Sequence, residues 1–147
     1  MTTSPRPVEV LVVEDNPGDV RLIAEAFKNG NGAHRLSVVR DGVEALAFLH
    51  RQSPYRDAPR PDLIVLDLDL PKKHGLEVLR EIKGDAQLRC IPVVVLTTSA
   101  QEEDIRKSYE LNANCYVTKR SGLDQFMATV RSIRDFWCTV VNLPPGD

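Results

Sequence analysis

Cysteine is scarce in this chain, and nothing about Cys90, Cys115 and Cys138 suggests a pairing: the number is odd and no two stand in CxxC spacing. That argues against a disulfide framework or a sulfur-ligated metal, and for idle or buried thiols in a reducing compartment. Long apolar runs are also missing, and none approaches the roughly 20 residues needed to span a bilayer. The start, Met1-Thr2-Thr3-Ser4-Pro5-Arg6-Pro7, has no apolar segment of the signal-peptide kind, which predicts a cytoplasmic protein. There is no basic excess: 19 Lys and Arg stand against 21 Asp and Glu, a net charge of −2. A general nucleic-acid binder needs the opposite balance to neutralise phosphates. Internal repeats and low-complexity tracts are absent. What remains is 147 residues, 42% apolar and 27% charged, the size and balance of one soluble globular domain.

Short apolar runs alternate with amphipathic segments. Val8–Val13, Leu63–Leu66 and Ile91–Thr97 are rich in Val, Ile and Leu and nearly continuous, which suits strands covered on both faces of a parallel sheet. Arg35–Val39 and Cys115–Thr118 are weaker strand candidates. Between them lie helix-period stripes. Val20, Ile23, Ala24 and Phe27 form one, opened by Pro17 in a first-turn position and closed near Gly30. Asp41 with Glu44 resembles a cap before Val43, Leu46 and Leu49, and Ser99 with Glu102 a capping box opening the segment through Leu111. Phe126, Val130, Ile133 and Trp137 stripe a last helix. Arg51–Pro61, with three prolines, reads as a surface loop. Five β-α pairs in succession predict a doubly wound α/β fold.

In open parallel sheets, ligands bind at the carboxyl ends of the strands. Here those ends carry Glu14-Asp15, Asp67, Thr97-Thr98 and Thr118-Lys119, each directly after an apolar run. Each has a bland reading taken alone: Asp15 as a helix cap, Asp67 as a turn former, Thr97 as a β-branched strand residue, Lys119 as a solvated surface lysine. Together they put three carboxylates, a hydroxyl and an ammonium on one edge. Crowded carboxylates call for a hard cation, and Mg²⁺ takes oxygen ligands while keeping several waters. A metal beside a carboxylate and a lysine suits phosphoryl transfer, with Asp67 as nucleophile and Thr97 and Lys119 on the phosphoryl oxygens.

With these residues in view, the chain resembles a response-regulator receiver domain, the phosphoacceptor module of two-component signalling. The motifs are VVEDNPGD at Val12–Asp19, LIVLDLDLP at Leu63–Pro71 with Gly75, VVVLTTS at Val93–Ser99 and CYVTK at Cys115–Lys119. The resemblance implies a five-stranded parallel sheet in order 2-1-3-4-5 flanked by five helices, a flavodoxin-like fold. It implies Asp67 as the phosphorylated aspartate, and Mg²⁺ held by Asp15 directly, by Glu14 through water, by Asp67, and by the backbone carbonyl of Asp69. Thr97 and Tyr116 match the family's switch pair and Lys119 its phosphate-binding lysine. It further implies a stand-alone regulator with residues 1–7 as a tail, 8–138 as the receiver and 139–147 as an extension. A sensor histidine kinase donates the phosphoryl group, and phosphorylation re-packs the face made by the fourth helix, fifth strand and fifth helix. The opening EDNPGDVRLIAEAF, the long proline loop and LDLDLPKKHGLEVL are similar to the regulators that partner bacterial phytochromes.

Two positions depart from the family pattern. Arg120 follows Lys119 where the family usually has Pro, often through a cis bond; a cis Lys-Arg bond would cost about 2.5–4 kcal/mol, so a trans bond is expected. Asp69 is an acid where Asn or Met is common. Two other classes fit parts of the pattern. Asp67-Leu68-Asp69 is a DxD like that of haloacid-dehalogenase-like phosphohydrolases, although theirs ends the first strand, and an adaptor could keep the fold without the chemistry. His34, His50 and His74 fit no metal spacing and read as non-catalytic, and only ten residues follow Trp137, so output through protein contacts is expected rather than DNA binding. Val140, Val141 and Leu143 lie beyond the core expected of a receiver, an apolar extension that predicts a homodimer through the last helix and tail.

Overall fold

The computed structural model describes residues 6–28, 34–119 and 121–145. Strands and helices alternate: β1 (Val8–Val13), α1 (Pro17–Lys28), β2 (His34–Val39), α2 (Gly42–Leu49), β3 (Leu63–Leu66), α3 (Gly75–Gly84), β4 (Val93–Thr97), α4 (Glu102–Glu110), β5 (Cys115–Thr118) and α5 (Leu123–Asp135). The five strands form one parallel sheet in the order β2-β1-β3-β4-β5. This is the doubly wound fold that the alternation predicted. The apolar runs are unbroken because both faces are covered. Leu11, Val13, Ile64, Leu66, Val93 and Val95 point to a core under α2 and α3. Their alternates Val10, Val12, Leu63, Val65, Val94 and Leu96 pack against α1 and α5. Burial is uneven across the sheet: every residue of β3 is buried, whereas every residue of β5, at the edge, is only half-buried.

Local signals set the helix starts. The Asp41 side chain accepts from the Glu44 N–H at 2.7 Å, as the sequence suggested. Ahead of α1, Asn16 does the capping, its Oδ1 accepting from Asp19 N–H at 3.0 Å, so Asp15 is not needed there. The capping box expected at Ser99 does not form. Helix α4 begins after Gln101 with no side-chain cap, because the Ser99 hydroxyl instead donates to Asp104 Oδ2 at 2.6 Å. The Arg51–Pro61 loop forms no helix or strand, yet Tyr55 and Ala58 pack onto the core. Closure near Gly30 and the Lys119-Arg120 bond lie outside the described residues.

The last apolar stripe is the other departure. Phe126, Val130 and Ile133 are buried, but after Asp135 the backbone widens into a π-helical turn, Phe136–Val140. A wider turn shifts the phase of the stripe, so Trp137 is only partly buried while Phe136 and Val140 are 52% and 68% exposed. Arg134, charged yet buried, donates to the Ala26 carbonyl and ties α5 to α1.

Candidate functional site

The carboxyl edge of the sheet gathers the residues singled out above. Strand β1 delivers Glu14 and Asp15, β3 delivers Asp67, β4 ends in Thr97 and β5 is followed by Lys119. Backbone pairing continues past the strand ends and fixes these positions: Glu14 N–H donates to Val39 O, Asp67 N–H to Val13 O, and Lys119 N–H to Thr97 O. Glu14 and Asp67 are buried and Asp15 is exposed, and their carboxylate oxygens lie within 4.8 Å of one another. Asp69 is exposed, with its N–H 3.3 Å from Asp67 Oδ1.

Among the described residues, Lys119 is the cation that enters this cluster. Its buried ammonium donates to Glu14 Oε1 at 2.7 Å, Asp19 Oδ2 at 2.8 Å and Asp67 Oδ2 at 3.3 Å. Burial pushes Glu14 up to about 7; the Lys119 hydrogen bond opposes this and the like charge of Asp67 adds to it. Burial also works against the ammonium, but hydrogen bonds to Asp19 and Glu14 hold Lys119 above the ordinary lysine value. Hard oxygen donors in excess of the charge that faces them fit a divalent cation. Thr97 is fully buried, and its Oγ1 has no hydrogen-bond partner among the described residues. A buried hydroxyl is ordinarily satisfied, so this one awaits an acceptor. On β5, Tyr116 donates its hydroxyl to Ser99 O at 2.8 Å and its backbone N–H to the Tyr109 hydroxyl at 3.1 Å.

Asp19 was not among the residues picked from sequence. The available signal was an acid in the first turn of the helix that follows an acidic pair. Cα–Cβ bonds tilt toward a helix N-terminus, so a first-turn side chain leans back over the sheet edge. The histidines lie elsewhere: His74 caps α3, His50 ends α2, and His34 contacts the Phe27 carbonyl.

Comparison with known proteins agrees with this geometry. The response regulator receiver domain matches over residues 10–131. Response regulator Rcp1 of Synechocystis sp. is 50% identical over 138 residues, covering 94% of each chain. Two crystal structures superpose with a TM-score of 0.93 at 50% identity, each covering 95% of this chain and 100% of its own. One is the phosphorylated cyanobacterial phytochrome response regulator RcpA and the other is the Mn²⁺-bound form of Rcp1. The phosphohydrolase alternative does not fit, since its DxD ends a first strand and Asp67 follows the third. With its fold and its strand-end residues accounted for together, the chain belongs to the response regulator receiver family, signalling proteins that bind a divalent metal in the active site.

Proposed function

We propose that this protein is the phosphoacceptor partner of a phytochrome-type sensor histidine kinase, with Asp67 as the acceptor. One observation carries the reading: the Asp67 carboxylate lies 3.3 Å from the buried Lys119 ammonium and shares a cluster of oxygens within 4.8 Å with Glu14 and Asp15. An Asp67 oxygen attacks the phosphorus of a phosphohistidine, the P–N bond breaks, and the imidazole leaves to take a proton from solvent. Glu14, Asp15, Asp67 and the Asp69 carbonyl would hold Mg²⁺. When bound, the metal neutralises charge on the transferring group. Lys119 supplies the fixed positive charge beside the acceptor, and Thr97 Oγ1 gains a partner when phosphoryl oxygens arrive. A new group with up to about two negative charges draws Thr97 toward it. Tyr116, tethered to Ser99 just beyond Thr97, passes that movement to the α4-β5-α5 face. Residues 8–138 form the signalling unit and 139–147 the extension.

Exposure of wild-type protein to acetyl phosphate or the kinase, with Mg²⁺, is expected to label Asp67, read by peptide mapping. The Asp67→Asn variant should take no label. Label persisting in the variant would overturn the assignment, and wild-type protein that never labels would make it an adaptor.

The chain also pairs with a second copy of itself through the last helix and tail. Phe136 and Val140 are exposed in the π-helical turn that follows α5, and the half-buried Val141 and Leu143 come next in the tail; exposed apolar residues of this kind commonly mark partner surfaces. A twofold dimer is the commonest solution for a soluble chain. Light scattering should give a dimer for the full chain and a monomer for a version ending at Cys138. A monomer in both, with and without beryllofluoride, removes the dimer from the proposal.

A further inference from the structure

We infer that Asp19 is a positioning residue for the phosphoryl transfer: it holds the Lys119 ammonium at a fixed distance from the acceptor while the other partners of that ammonium change. This rests on the proposed acceptor role of Asp67. An ammonium has three hydrogens and no acceptor capacity. At Lys119 all three are engaged, and the two shorter contacts, to Glu14 at 2.7 Å and Asp19 at 2.8 Å, are not to the acceptor. The contact to Asp67 is the longest, at 3.3 Å. It is therefore the donor most readily surrendered to phosphoryl oxygens. Glu14 belongs to the carboxylate group suited to a cation, so its contact with Lys119 is also liable to change. Asp19 lies outside that group and has no competing partner among the described residues, so its contact alone is common to every state.

The local sequence is built to present Asp19. Asn16 accepts from the Asp19 N–H through its side chain and from the Val20 N–H through its carbonyl, which locks the first turn of α1. Pro17 at the head of that turn supplies a preset backbone angle and has no N–H to leave unpaired. The carboxylate thus rests on the stiff end of a helix, whereas the Lys119 stem is four rotatable carbons long. Without the strut, the ammonium is free to close on Asp67 in the resting state and to drift once Glu14 turns away.

The test compares Asp19→Ala with Asp19→Asn, whose amide oxygen still accepts from the ammonium without carrying charge. Labelling by acetyl phosphate is measured at saturating Mg²⁺, together with the Mg²⁺ concentration for half-maximal rate. Asp19→Ala is expected to slow the maximal rate by about tenfold or more, since small misplacements of a transfer group are amplified in rate. The half-saturating Mg²⁺ should stay at the wild-type value, and Asp19→Asn should restore the rate to within about threefold of wild type. Asp19→Ser, too short to reach the ammonium and well suited to a helix start, should behave as Asp19→Ala and serves if that variant fails to fold. Wild-type rates in Ala and Ser, equal losses in Ala and Asn, or a shifted Mg²⁺ requirement would each overturn the inference. Reductive methylation of Lys119 reads its placement without any phosphoryl donor, and should be faster in Ala than in wild type or Asn. If wild type takes no label yet methylation follows this order, the acceptor role fails and the strut stands; equal methylation in all three removes the strut.

Discussion

Replacing Lys119 with Met is expected to destabilise the metal-free protein by about 3–5 kcal/mol at pH 8, read as a lower urea midpoint, because a buried charge pair is broken on one side. The substitution leaves Glu14 and Asp67 buried without the ammonium they share. The loss should shrink as the pH is lowered. In the wild type, burial raises Glu14 from its ordinary 4.5 to about 7, so between those values the folded state holds a proton that the unfolded chain releases. The stabilising contribution of that proton is complete below about 4.5 and is lost as the pH rises through about 7. Removing the Lys119 hydrogen bond, which pulls Glu14 down, moves the upper limit of this window higher still. At pH 5 the variant therefore keeps Glu14 neutral and its deficit should be smaller, the part owed to the lost Asp67 and Asp19 contacts remaining. Millimolar Mg²⁺ at pH 8 should recover much of the difference, since a ligand that binds only the folded state stabilises it. A deficit that is the same at both pH values and insensitive to Mg²⁺ would mean that Lys119 contributes packing alone. Labelling of Asp67 should fall in the same variant, even at pH values where its stability deficit is smallest.

Gly75→Ala is expected to be nearly as damaging, by about 3 kcal/mol, at the upper end of what overpacking does. A Cβ at Gly75 would lie 2.4 Å from Asp67 O and 2.6 Å from Leu68 Cα, both backbone atoms that cannot swing aside. The Gly75 N–H also donates to Leu68 O, so the head of α3 is pressed against the segment just after Asp67. Relief requires moving either the helix or the segment carrying Asp67, so labelling should drop together with stability. Gly84→Ala is the control. It ends the same helix with nothing within 4 Å of its added carbon, and should stabilise by about 0.4–1 kcal/mol. Thermal melts of the two variants should move in opposite directions. Similar shifts would show that loss of helix-end flexibility, not the close approach at Asp67, governs both.

The parts of this molecule legible from sequence are those where one segment decides its own state. Runs such as Leu63–Leu66 are apolar at every position because both faces are covered, and Asp41 caps α2 with the atoms of its own turn. The strand-end residues were legible because parallel topology sends every strand end to one edge. What sequence hid depends on distant partners. Ser99 has the spacing of a capping box, but Asp104 in the first turn of α4 takes its hydroxyl. Asp19 looks like an ordinary helix-dipole acid until Lys119 arrives from 100 residues away. The unpartnered Thr97 hydroxyl is a property of packing, and a threonine at the end of a strand carries no mark of it. Trp137 fits a helical period of 3.6 and packs against the same core as Phe126, Val130 and Ile133, but past the widened turn after Asp135 it is only partly buried.

The gradient of burial from β3 to β5 has a consequence for timing. Amide protection follows local stability, and an edge strand that is half-buried along its length opens more often than a central strand buried throughout. Asp67 hangs from the slow strand, with its N–H held by β1, while Lys119 is the first residue past the fast one. A parting of β5 from β4 would loosen the backbone that carries Lys119 without disturbing Asp67, leaving the Asp19 contact to hold the ammonium. On the proposed acceptor role, the lifetime of a charge on Asp67 is then expected to depend on the breathing of the edge strand, and a partner that clamps β5 is expected to change it without touching the aspartate.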